Sequence, residues 1–71
     1  MELEIIELSK EEITALYYAD YRELKQVEAA EKMGISQASF SRELASARKK
    51  LAEALFENKG ILFKQEPSDE V

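Results

Sequence analysis

The stretch SQASFSRELASARK, residues 36–49, sets long polar side chains among small ones at a spacing one helix face can use. At 100° per residue Ala38, Arg42, Ala45 and Lys49 share a side, with Phe40 opposite. Alanines at 38 and 45 let a helix come close to a flat polar surface, and Arg42 is long enough to hold guanine O6 and N7 with two guanidinium donors. Gln37, Ala38 and Ser39 fill the first turn, where the Gln37 amide suits adenine N6 and N7, and Ser41 adds a flanking hydroxyl. Ser36 precedes the helix as its cap, a position from which it and the first-turn N–H groups can also hold a phosphate. The chemistry open to this set is recognition of base edges and phosphates.

Bond-making chemistry lacks its parts. The chain has no His and no Cys, so Ser36, Ser39, Ser41 and Ser46 have no base to activate them. It has no glycine-rich phosphate loop, and its acids are spaced like a solvated helix surface. We expect no enzyme, no metal, no cofactor and no small-molecule ligand. Tyr17, Tyr18 and Tyr21 could stack on unpaired bases only beside a basic groove, and they sit in an acidic half. Tyr17 and Tyr21, one helical turn apart, are expected to cover the core or a dimer contact, with Tyr18 exposed.

The net charge of −5 opposes binding to a polyanion until its distribution is considered. Residues 1–36 carry four basic and nine acidic side chains, residues 37–64 six and three, and residues 65–71 three acids alone. The basic part is the segment with the base-reading set, and such polarity orients it toward DNA while the acidic half suppresses indiscriminate binding. Arg48, Lys49 and Lys50 point in three directions around a helix, so one groove takes only one of them, and Lys49 is best placed. The cluster also suits a solvated basic face near a helix C-terminus.

The elements that must position these residues are short. LEIIEL, residues 3–8, reads as a strand or extended arm. Ser9 and Glu12 form a capping box for a helix over residues 10–21, with Ile13, Leu16 and Tyr17 as its apolar stripe. Val27, Ala30 and Met33 mark a second helix of about two turns that Gly34 closes in the left-handed conformation. Phe40, Leu44, Ala47, Leu51 and Leu55 stripe a third helix that begins at Gln37 and runs to about Glu57, where Asn58, Lys59 and Gly60 stop it. Ile61, Leu62 and Phe63 read as a second strand, which pairs with the first within a chain or between two chains, Glu4 or Glu7 facing Lys64. EPSDEV, at the end, reads as disordered.

Within residues 26–44, QVEAAEKMGISQASFSREL, the spacing is that of a helix-turn-helix. Ala30 is small where the helices cross, Gly34 turns the backbone, and Met33, Ile35, Phe40 and Leu44 plug the angle between them. The longer stretch EAAEKMGISQASFSRELASARKKLAEAL resembles a family of small, uncharacterised bacterial and archaeal proteins predicted to bind DNA, and more distantly region four of sigma factors. The resemblance runs from about Leu8 to Phe63, with SKEEITALYYAD similar to the family's first helix and NKGILF to its terminal strand. It implies a cysteine-containing N-terminal extension; these 71 residues hold no cysteine, so no metal or redox role of that kind is expected of them. It also implies Arg where this chain has Gln37.

The expected fold is all-α: one domain over residues 1–66 with a trihelical helix-turn-helix core and short terminal strands, then an acidic tail over residues 67–71. The expected function is sequence-specific double-stranded DNA binding by a transcriptional regulator, through Ser36, Gln37, Ala38, Ser39, Ser41, Arg42, Ala45 and Lys49. A chain of 71 residues without staples supplies a small core, so a homodimer is expected. The alternative is a protein-interaction module docking on the transcription machinery or another regulator through its acidic half or its strand edges. The absence of cysteine, the acidic N-terminus and the lack of an apolar run of roughly 18 residues fit a cytoplasmic protein outside the membrane.

Overall fold

The computed structural model describes residues 3–63, with elements in the order β1 (Ile5–Leu8), α1 (Lys10–Leu16), a π-helical turn (Tyr17–Tyr21), α2 (Gln26–Met33), α3 (Gln37–Phe56) and β2 (Gly60–Phe63). The fold is mostly helical, three helices with a two-stranded sheet, as the apolar periodicity predicts. Lys64 and the acidic tail lie outside the described residues.

Ser9 ends β1 and starts α1 in one step. Its Oγ accepts from the Glu12 N–H at 3.1 Å, and Glu12 Oε1 accepts from the Ser9 N–H at 2.8 Å, the reciprocal box that the Ser-x-x-Glu spacing makes. Glu12 does more than cap. Only 5 % exposed, it also accepts from Ser46 Oγ and, at 3.0 Å, from Lys50 Nζ, so one buried carboxylate clamps α1 to α3. Burial pushes its carboxyl up, but hydrogen bonds from Ser46, the Ser9 N–H and Lys50, with the Lys50 charge, outweigh burial and bring it down to about 2.

The first helix buries Glu12 and Ala15, with Ala19 half-buried one turn on, and its expected apolar stripe of Ile13, Leu16 and Tyr17 is displaced to the side. Small residues win the contact because they let α1 and α3 approach closely. The helix then widens, the Arg22 N–H bonding to Tyr17 O at 2.8 Å, five residues back. Tyr18, three residues after buried Ala15, packs against the core rather than lying exposed as expected, while Tyr17 and Tyr21 are 44 % and 77 % exposed and do not cover the core, one of the two places expected for them. Glu23, with φ of 60°, then turns the chain, and the Leu24 N–H bonds back to Tyr18 O.

At the end of α2, Gly34 adopts φ 71° and ψ 31°. The Ile35 N–H bonds to Ala30 O and the Gly34 N–H to Glu31 O, both at 3.1 Å, a Schellman closure that folds Ile35 back over Ala30. Ser36 then caps α3, its Oγ accepting from the Ser39 N–H at 3.0 Å. The three-residue turn thus fixes the angle between α2 and α3. Ala15, Ala29, Ala30, Phe40 and Leu44 are buried around that angle, with Leu16, Tyr18, Ala19, Met33 and Ile35 packed against them. Phe40 is fully buried at the centre. Val27, expected in the α2 stripe, is half exposed because Ala29 and Ala30 make the contact in its place.

At 20 residues and about 30 Å, α3 outruns the 8-residue α2. Leu55, expected in the buried stripe, is exposed in the last turns, where Ala54 takes the buried position, with Phe56 beside it. Asn58 closes the helix at φ 57°, the Lys59 N–H reaching Ala54 O at 3.0 Å. Lys59 Nζ lies within 3.1 Å of carboxylates of Glu53, Glu57 and Glu4, and these, Glu53 foremost, raise its pKa. The ion pair ties the end of α3 to the strand ahead of α1. β1 and β2 are paired in parallel within the chain, Ile5 opposite Gly60 through Leu8 opposite Phe63. A side chain at position 60 would meet Ile5 Cδ1 at 2.9 Å, which glycine avoids.

Candidate nucleic-acid interface

Every position assigned from the sequence to the outward side of α3 is at or near the surface. Gln37, Ala38, Ser41, Arg42, Ala45 and Lys49 are exposed, Ser36 is exposed at the cap, and Ser39 is half-buried. Arg42 and Lys49 lie two turns apart along one face, about 10 Å by helical rise, with Ala38 and Ala45 beside them. The face is held from behind by Phe40, Leu44 and Ala47, all buried.

Hydrogen bonds sort this set further. Arg42 Nη2 donates to Ser39 Oγ at 3.2 Å, which leans the guanidinium toward the first turn. Ser41 Oγ donates to Gln26 Oε1 at 2.8 Å, so Ser41 ties α3 to the start of α2. The sequence reading missed Gln26, since no periodicity links residues fifteen apart; exposed Lys25, its neighbour, stands at the same end of α2.

The basic triplet divides as its rotation requires. Arg48 holds Asp20 with Nε at 3.1 Å and Nη2 at 2.6 Å, and this grip lowers the pKa of Asp20 and raises that of Arg48. Lys50 holds Glu12 and the Glu7 carbonyl oxygen, each at 3.0 Å. Two of the three cations are thereby committed inside the molecule. Lys49 stays exposed, one turn ahead of Glu53. Its charge contributes to the lowered pKa of that carboxyl, behind the Lys59 hydrogen bond and charge.

The tyrosines form a separate cluster on the far side of the helix pair. Tyr17 stacks on Tyr21 with centroids 5.5 Å apart, tilts against Tyr18 at 5.4 Å, and carries the Arg22 guanidinium 5.9 Å above its ring. None of the described helices is long and apolar enough to cross a membrane.

A family model described as Protein of unknown function DUF134 matches residues 1–67. Among curated relatives, the UPF0251 protein of Methanothermobacter thermautotrophicus is 48 % identical over 59 residues, 83 % of this chain and 31 % of the relative. The UPF0251 protein of Methanocella arvoryzae is 47 % identical over 60 residues, 84 % of this chain and 36 % of the relative. The UPF0251 protein of Shewanella piezotolerans is 42 % identical over 65 residues, 92 % of this chain and 65 % of the relative. The chain thus spans about a third of the two archaeal relatives and two thirds of the bacterial one. No solved structure matches it.

Proposed function

This chain therefore belongs to the family of Protein of unknown function DUF134, and we propose that it binds double-stranded DNA sequence-specifically as a transcriptional regulator. In this reading α2, the turn at Gly34 and α3 act as a helix-turn-helix. The supporting observation is the division of cations on α3: Arg48 and Lys50 are held by Asp20 and Glu12, while Arg42 and Lys49 face outward between small residues. A helix with that face enters a major groove closely, Arg42 taking a guanine and Gln37 an adenine. Ser36 Oγ is occupied by the Ser39 N–H, so a phosphate at this end is held by the N–H groups of Gln37 and Ala38. Lys49 and Lys25 supply sequence-independent phosphate contacts on either side of the reading turn.

Selection of duplexes from a random pool tests the reading. The expected result is an enriched motif whose affinity falls steeply with salt as counterions are released. Replacing Arg42 with Ala costs about 1–3 kcal/mol on that motif and relaxes one base pair. Retention of no duplex even at low salt, with a protein partner recovered instead, would overturn it in favour of an interaction module.

A further inference from the structure

We propose that two copies of this chain join through the outer edge of β2, continuing β1–β2 of one copy into β2–β1 of the other as one four-stranded sheet. The register shows why that edge is open. Ile5 stands opposite Gly60 and the Gly60 N–H donates to Glu4 O at 2.8 Å. In a parallel ladder of this phase Gly60 and Leu62 turn their backbone groups toward β1, and Ile61 and Phe63 turn theirs away. The outer edge of β1 is plugged, since Lys50 Nζ donates to the Glu7 carbonyl oxygen, and a lysine head at an edge opposes strand addition. Among the described residues nothing plugs β2.

The edge is complementary to itself. A twofold axis at Leu62 sets Ile61 of each copy opposite Phe63 of the other, each pair exchanging two N–H···O bonds, with the two Leu62 side chains meeting between them. An isolated two-stranded sheet is marginal, and parallel strands ordinarily have both faces covered. Extension to four strands answers the first need and the apolar surface beside β2 answers the second.

That surface consists of two open grooves meeting at Leu51. One, of about 610 Å³, is bounded by Tyr17, Tyr21 and Phe63, and the other, of about 360 Å³, by Leu55 and Ile61. Tyr21, Leu55 and Phe63 on their walls are 77 %, 74 % and 58 % exposed, so the apolar side chains beside β2 lie open to a partner. On the rim Asp20 pairs with Arg48, and Lys59 sits among the carboxylates of Glu4, Glu53 and Glu57. An apolar strip beside a free edge suits a partner with an apolar strip and an edge of its own, and a second copy supplies both. Leu51 and Leu55 lie on the side of α3 opposite Arg42 and Lys49, so the dimer leaves that face open and stands whether or not it reads DNA.

Sedimentation equilibrium of the 71-residue chain from low micromolar to near-millimolar concentration tests the proposal. The expected result is a monomer–dimer equilibrium that Leu55→Lys weakens by about tenfold or more. Phe56→Lys makes the same charge change one residue along, at a side chain that is more exposed and lines neither groove, and is expected to leave the equilibrium unchanged. Both positions are on the surface, so helicity by circular dichroism stays constant. The amides of Ile61 and Phe63 exchange more slowly in the dimer. A monomer throughout, an equal loss from Phe56→Lys, or a dimer in which those two amides exchange as fast as in the monomer overturns it. Arg42→Ala keeps the dimer mass whatever it does to DNA binding, so the two proposals fail separately.

Discussion

Ser41 Oγ donates to Gln26 Oε1 at 2.8 Å, joining the first residue of α2 to the second turn of α3 across a surface where both residues are exposed. The bond braces the two helices on the side away from Phe40. In a pair meant to dock as a rigid unit, this brace sets how the outward face of α3 meets a groove relative to the α2 terminus. Ser41→Ala is expected to cost about 0.5–1 kcal/mol of stability, and Gln26→Ala the same. The double variant should cost no more than either alone, because one bond is lost in all three. On DNA, Ser41→Ala should weaken every duplex alike, in contrast to Arg42→Ala. Urea denaturation of the four chains and titration of two unrelated duplexes measure both effects.

The commitment of Arg48 to Asp20 yields a second expectation. A cation that neutralises a phosphate contributes about 0.9 to the slope of log affinity against log salt. Lys49→Ala should therefore reduce that slope by about one, and Arg48→Ala should leave it almost unchanged despite its equal change in charge. The Arg48 pair is about half exposed, so its loss costs little stability, within the range of about 0–1 kcal/mol for surface pairs. Equal slopes for the two variants would mean that the face of α3 used is not the one bearing Arg42.

What could be read from the chain alone was set by interactions a few residues long. The Ser9–Glu12 box, the Gly34 reversal, the Ser36 cap and the core position of Phe40 all follow from local spacing, and all are present. The outward positions of Arg42 and Lys49 follow from the rotation that buries Phe40. Features that depend on a distant partner could not be read. Glu12 looks like a surface cap until Ser46 and Lys50 approach from α3. Tyr17 and Tyr21, read as covering either the core or a dimer contact, are off the core because Ala15, with Ala19 and Tyr18, takes that contact. Leu55 fits the α3 stripe by angle, but angle does not reveal that Ala54 takes the buried position in the last turns.

The carboxyl of Glu12 gives the fold an acid limit. Its folded pKa of about 2 lies below the ordinary 4.5, so the ionised form belongs to the folded state and the unfolded chain binds the proton more tightly. The stability this contributes is full above pH 4.5 and is lost as pH falls toward 2. At 1.36 kcal/mol per unit it is on the order of 3 kcal/mol. Glu12→Gln keeps an acceptor for the Ser9 N–H but cannot titrate or pair with Lys50. That variant should be less stable at pH 7 and should lose less on acidification. Denaturation midpoints between pH 2 and 7 test this, and parallel curves for the two proteins would show that Glu12 does not set the limit.

Gly34 and Glu23 occupy the same left-handed region, with φ of 71° and 60°, and respond oppositely to exchange. A Cβ at position 34 meets nothing within 4 Å, so Gly34→Ala is a purely backbone change, costing about 1–2 kcal/mol because an L side chain there crowds its own carbonyl. Glu23 already bears that penalty between the π turn and α2. Glu23→Gly relieves it, but glycine also gives the unfolded chain more freedom, so the net gain is smaller, about 0.5 kcal/mol. The pair should therefore shift the melting temperature in opposite directions, Gly34→Ala downward by several degrees and Glu23→Gly slightly upward. Destabilisation by Glu23→Gly would show that the Glu23 side chain itself supports the turn between the first two helices.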